Sequence, residues 1–131
     1  MNFILIDDDP VTNLINKKII QIACGDKVKT ITTFLNPEKA LEYLKTIPFY
    51  KTGEYILFLD INMPEMNAWQ FLDHLGNQND FKINILSSSI TNADLNKAEN
   101  HKLVRDYIYK PLSVPKLKNV YTNLWETSLS A

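Results

Sequence analysis

Short apolar runs alternate with segments of helical periodicity along this chain, and four of the runs end on a reactive polar group. Residues 3–6 lead into Asp7 and Asp8, residues 55–59 into Asp60, residues 83–86 into Ser87, and residues 107–109 into Lys110. Continuous apolar runs of this length suit strands buried on both faces, as in a parallel sheet. Between them, Asp9-Pro10 reads as an N-cap with proline in the first turn, followed by Val11, Leu14, Ile15, Ile19 and Ile22 at helical spacing. Gly25 is the expected stop, and Ile20 falls on the opposite side of that wheel, as an exposed apolar contact.

The second strand, residues 29–34, is β-branched but polar, which suits a sheet edge. Asn36-Pro37 caps a helix with the stripe Ala40, Leu41, Leu44 and Ile47, and a longer loop through Pro48, Phe49, Tyr50 and Gly53 leads to the central strand. After Pro64 a third helix takes Trp69, Phe71, Leu72 and Leu75 and breaks near Gly76. A fourth, over residues 93–101, has only Leu95 and Ala98 as apolar anchors and is expected to be the most weakly held. The fifth strand spans residues 106–109; Ser113 then caps a helix carrying Leu117, Val120, Tyr121 and Leu124. Five strand–helix alternations predict an α/β domain whose parallel sheet is covered by helices.

Composition narrows the function classes. The 131 residues suit one domain, and 14 basic against 15 acidic side chains leave no electrostatic footprint for nucleic acid. The single cysteine has no internal partner, no Cys/His spacing suits zinc, and no run approaches the roughly 20 residues needed to span a bilayer. The start lacks the features of a signal peptide, so a cytoplasmic setting is expected.

The strand ends carry the chemistry. In open α/β sheets ligands bind outside the carboxyl ends of strands. Asp7, Asp8 and Asp60 at adjacent ends would repel one another, and a hard divalent cation such as Mg²⁺ resolves that conflict with oxygen ligands. Lys110 adds a fixed positive charge and Ser87 a neutral donor. This set suits a phosphoryl group in transit, with one aspartate as covalent acceptor.

These residues resemble the receiver domains of two-component response regulators, as in the single-domain chemotaxis regulators, and the likeness covers essentially the whole chain. Asp7-Asp8 is similar to the family's acidic pair, Asp60 in Asp60-Ile-Asn-Met-Pro64 to its phosphoacceptor and following loop, Ser87 to its switch hydroxyl, Tyr107 to its switch aromatic, and Lys110-Pro111 to its lysine and cis-bonded proline. The resemblance implies a flavodoxin-like (βα)₅ three-layer sandwich with strand order 2-1-3-4-5. It implies Mg²⁺ held by Asp8, Asp60 and the Asn62 main-chain carbonyl, with Asp7 acting through water, and phosphorylation by a histidine kinase or histidine phosphotransfer protein. It implies a signalling protein rather than an enzyme, a monomer or weak dimer. Residues 1–131 are expected to be all receiver, with no output domain, so that output is a protein contact or onward phosphotransfer. Ala68 stands where the family usually has glycine, residues 101–105 lack its usual Gly-Ala, and Leu112 replaces a common phenylalanine.

Blander readings compete at several positions. Asp9 is better explained by helix capping than by metal binding. Within Ser87-Ser88-Ser89, strand alternation favours Ser87, while Ser89 and Asn62 fall where the family tunes hydrolysis. Tyr107 is either the switch or core packing. His74 and His101 have no partner at ligand spacing and read as surface residues, Met63 and Met66 as loop packing, Trp69 and Trp125 as partial core. Two other functions fit parts of the pattern. A Mg²⁺-dependent phosphohydrolase of the haloacid dehalogenase type would need a second acid where Asn62 stands, and a cap domain. A pseudo-receiver that never takes phosphate has no use for three mutually repelling acids.

Overall fold

In the computed structural model, which describes residues 1–89 and 91–120, five parallel strands form one sheet in the order β2-β1-β3-β4-β5. The strands are β1 (Asn2–Ile6), β2 (Thr30–Phe34), β3 (Tyr55–Asp60), β4 (Lys82–Ser87) and β5 (Val104–Tyr109). The helices are α1 (Pro10–Cys24), α2 (Pro37–Leu44), α3 (Ala68–Leu75) and α4 (Asn92–Asn100), and residues 114–120 are helical as well. The expected flavodoxin-like topology is the one observed, with polar β2 at an edge. The loop expected after Pro48 is a 3-10 helix over Phe49–Glu54. Tyr121, Leu124 and Trp125 lie outside the described residues.

The sheet has a core on each face because side chains alternate along every strand. Ile4, Ile6, Leu57, Leu59, Ile83 and Ile85 pack against Ala40, Leu41 and Leu44 of α2 and Ala68, Phe71 and Leu72 of α3. Phe3, Leu5, Ile56, Phe58, Leu86 and Ile108 pack on the other face against Ile20 and Cys24 of α1 and Leu117 and Val120 of the last helix. Phe3 and Phe58 stack across neighbouring strands with centroids 6.4 Å apart. Each fully buried large side chain contributes about 1.5–3 kcal/mol, so this double core fixes the register that brings the strand ends level.

Local signals set the helix ends. Asp9 Oδ1 accepts from Val11 N, and Asn36 Oδ1 accepts from the amides of Glu38 and Lys39, each before a first-turn proline. Asn67 and Gln70 form a reciprocal capping box on α3, and Thr91 caps α4. Gly25 and Gly76 end α1 and α3 with φ of 53° and 79°, a region that favours glycine. The Ser113 hydroxyl accepts from Lys116 N at 3.3 Å, as expected of a cap. Ala68 is fully buried and its amide donates to Ile61 O at 2.9 Å, which ties the loop after β3 to the sheet.

Of the apolar stripe expected to hold α1 on the sheet, only Ile19 packs against the core. Val11, Leu14, Ile15 and Ile22 are exposed, while Asn13, Asn16, Ile20 and Cys24 are buried. Ile20, expected outside, has no exposed surface. Ile19 and Ala23 pack beside Ile20 and Cys24 on the core, and where the inward face meets the ends of β1 and β2 it uses the amide of Asn13. Helix α4 matches its expectation: Ala98 is its one buried residue, and Leu95 is half-buried.

Candidate functional site

Register brings the predicted groups to one rim. Ile6 pairs with Leu59, so Asp7 follows β1 at the level of Asp60; Asp60 pairs with Leu86 and Ser87 with Tyr109, one residue before Lys110. Main-chain bonds lock the row, from Asp7 N to Phe34 O at 3.1 Å, Ile61 N to Leu86 O at 3.0 Å and Lys110 N to Ser87 O at 2.8 Å.

Asp7 is 3% exposed, Asp60 7% and Ser87 1%, whereas Asp8 and Asn62 are exposed. Asp7, Asp8 and Asp60 each present a carboxylate oxygen, and these atoms lie within 4.8 Å of one another. Lys110 Nζ bridges two of them, 2.9 Å from Asp7 Oδ2 and 3.1 Å from Asp60 Oδ1. Asp9 stands apart as a cap, its Oδ2 also accepting from the Thr12 hydroxyl at 2.8 Å.

The electrostatics are unbalanced. Burial, and then the neighbouring Asp7 charge, push the Asp60 carboxyl above its usual range against the pull of Lys110. Burial lowers the Lys110 ammonium, but its hydrogen bond to Asp7 and the charge of Asp60 outweigh that and raise it. Among the described residues, one ammonium pairs with two of the three clustered acids. Hard oxygen donors in excess of positive charge fit a divalent cation of the Mg²⁺ type, with Asp7, Asp8 and Asp60 available to hold it.

Beside the acids, the Ser87 hydroxyl bonds to the Ser89 carbonyl and accepts from Ser89 N at 3.1 Å. The Tyr107 hydroxyl reaches the same Ser89 carbonyl at 3.4 Å, and its half-buried ring packs on the core edge. Ser88 and Ser89 are exposed, so Ser87 is the hydroxyl at the strand end. The Lys110-Pro111 bond is cis.

The profile of the response regulator receiver domain matches residues 3–122 of this chain. The chain belongs to this family. A two-component response regulator from Cytophaga hutchinsonii superposes with a TM-score of 0.81 at 31% identity, over 95% of this chain and 96% of that one. A receiver from Methanospirillum hungatei shares the fold at a TM-score of 0.76 and 17% identity, over 99% and 98% of the two chains. A response regulator of Arabidopsis thaliana is 27% identical over 124 residues, 95% of this chain but 18% of its own length. The receiver described here thus spans about a fifth of that curated relative.

Some of this receiver's polar contacts were not evident from sequence. His101, read as a surface residue with no partner at ligand spacing, accepts from Leu103 N at Nδ1, 3.2 Å away. Trp69 donates from Nε1 to Asp94 at 3.1 Å, linking α3 to α4, with Lys97 over its ring. Asn13, buried behind the acids, is the third; only its place on the Ile20 face of α1 could have marked it.

Proposed function

We propose that this receiver accepts a phosphoryl group on Asp60 from a phosphohistidine carried by a histidine kinase or histidine phosphotransfer protein, in a Mg²⁺-dependent reaction. The observation that carries the reading is one lysine shared between two buried acids at a single rim, with a third acid within reach. A carboxylate oxygen of Asp60 attacks phosphorus, the P–N bond breaks, and its electron pair returns to the imidazole, which takes up a proton. The product is a mixed anhydride at Asp60. Asp8, Asp60 and the Asn62 main-chain carbonyl would hold Mg²⁺, with Asp7 acting through water, and the ion would neutralise charge on the transferring group.

Lys110 already points at Asp60 and would pass to a phosphoryl oxygen. Ser87 would leave the Ser89 carbonyl to donate to another, which frees that acceptor for Tyr107. Ser89 lies three residues before α4 in sequence, and Ala98 is the one buried residue of that helix, so the exchange would bias the packing of α4 against β5. This is signalling by population shift; any hydrolysis is of the protein's own acyl phosphate. Val11, Leu14 and Ile15 form an exposed apolar stripe on the two turns of α1 that leave the acidic site. A protein donor must cover surface next to Asp60, and this stripe is apolar surface of the kind such a partner buries.

Incubation with acetyl phosphate and Mg²⁺ should add one acid-stable, base-labile phosphoryl group by intact mass. The same gain in Asp60→Asn would remove the assignment.

A further inference from the structure

We propose that Asn13 is a positioning residue for the cation site, acting through the peptide bond between Asp7 and Asp8. This rests on the reading of those acids given above. Asn13 is 3% exposed, on the inner face of α1. Its Nδ2 donates to the Asp7 carbonyl at 3.0 Å and to the Phe34 carbonyl at 3.2 Å, so one amide clamps the carboxyl ends of β1 and β2. Two carbonyl acceptors fix which end of the amide faces them, because a flipped carboxamide would set oxygen against oxygen.

The consequence is that Oδ1 is buried with no hydrogen-bond partner among the described residues. An orphaned buried acceptor costs stability, so the amide is a poor choice for holding the helix on the sheet, where Ile20 and Cys24 do that work. It is a good choice for holding one carbonyl. The Asp7 carbonyl belongs to the peptide plane from which Asp8 projects. Asp9 N donates to Asp7 Oδ1 at 2.9 Å. Asn13 and Asp9 N therefore fix the main chain and the side chain of Asp7 together. This sets the spacing of the exposed Asp8 carboxylate from Asp60. Without the clamp, the Asp7-Asp8 peptide can rotate and Asp8 loses its fixed place.

The test is Mn²⁺ binding, read by electron paramagnetic resonance, beside thermal melting without metal. Asn13→Ala should weaken Mn²⁺ affinity about tenfold, the scale of an outer contact that orients a ligand, while its metal-free melting temperature stays within a few degrees of wild type. Asn16→Ala, a buried amide one turn further along α1, should leave affinity unchanged. Unaltered Mn²⁺ affinity in folded Asn13→Ala overturns the inference alone, provided Asp8→Ala loses binding. Absence of Mn²⁺ binding by the wild type overturns the metal reading and this inference with it. In the unmodified protein, the Asn13 side-chain amide resonances should shift with Mg²⁺ at the same midpoint as the Asp8 main-chain amide; if they do not move at saturation, the inference falls whatever the variants do.

Discussion

The two rims of the sheet bury polar side chains to similar depth and treat them in opposite ways. At the amino ends, the hydrogen bonds of the described polar side chains are neutral or carry one charge. Thr30 donates to Asn2 Oδ1 at 2.6 Å, and Thr52 donates to Phe49 O and accepts from Asp80 N, both at 2.8 Å. Asn79 bridges Gly76 O and Phe81 N, and Lys82 donates to Gly53 O. At the carboxyl ends, two buried acids and an exposed third face one lysine. A satisfied rim has no reason to bind anything. The unsatisfied one is stabilised by whatever brings positive charge, and under the proposed function a phosphoryl group on Asp60 would alter the count.

The largest effect should come from removing the Lys110 ammonium from the acidic rim. Lys110→Ala leaves Asp7 and Asp60 facing each other and should cost about 2–3 kcal/mol at pH 7, less than a fully buried pair because the lysine is partly solvated. The sign with pH follows from the acids. A carboxyl raised above its unfolded value contributes a penalty that is absent below the ordinary carboxylate pKa and complete above the raised one. Urea denaturation should therefore show the variant's deficit narrowing as pH falls from 7 toward 4. A deficit independent of pH would mean that Lys110 holds the fold by packing, and the contrast between rims would lose its electrostatic basis.

Thr52→Val makes the matching cut at the amino rim. It deletes a donor and an acceptor used by Phe49 O and Asp80 N and should cost about 1–2 kcal/mol. That loss should not vary between pH 5 and 8, nor with Mg²⁺, and acetyl phosphate labelling should proceed at the wild-type rate. Slowed labelling would show that the rims communicate.

A smaller change should run the other way. Burial and Asp7 raise the Asp60 pKa, so the folded protein disfavours the charge at neutral pH. Asp60→Asn should then melt a few degrees higher than the wild type without metal, the scale of about 1 kcal/mol in a domain of this size. Millimolar Mg²⁺ should raise the wild type and leave Asp60→Asn nearly unmoved. Equal melting of the two metal-free proteins would mean that Lys110 already balances the acids.

What sequence revealed and what it hid divide along the same line. The strand ends, the proline-flanked caps and the two glycine stops are local signals, and the register that brings Asp7, Asp60, Ser87 and Lys110 together follows from alternation on a parallel sheet. The face of α1 was hidden because hydrophobic spacing counts residues and cannot weigh them. The exposed Val11, Leu14, Ile15 and Ile22 carry as many apolar side chains as the inward Ile19, Ile20, Ala23 and Cys24, and the amide of Asn13 looks polar until the strand ends it meets are known. The link between Trp69 and Asp94 was hidden for a different reason, since it joins residues 25 apart whose helices meet only in the fold.

The exposed stripe of α1 supplies the test with the least effect on stability. Ile15 on α1 and Phe49 at the opposite rim are both exposed apolar side chains. Ile15→Ser and Phe49→Ser should each stay within about 0.5 kcal/mol of wild type, as surface changes do. Both variants should take phosphate from acetyl phosphate normally, because neither touches the acids. Only Ile15→Ser should slow transfer from a phosphorylated histidine phosphotransfer protein, since only that side chain lies on the helix leaving the acidic site. Equal slowing by both variants would place the donor's footprint across the whole molecule, and no slowing by Ile15→Ser would leave the stripe on α1 without a part in phosphotransfer.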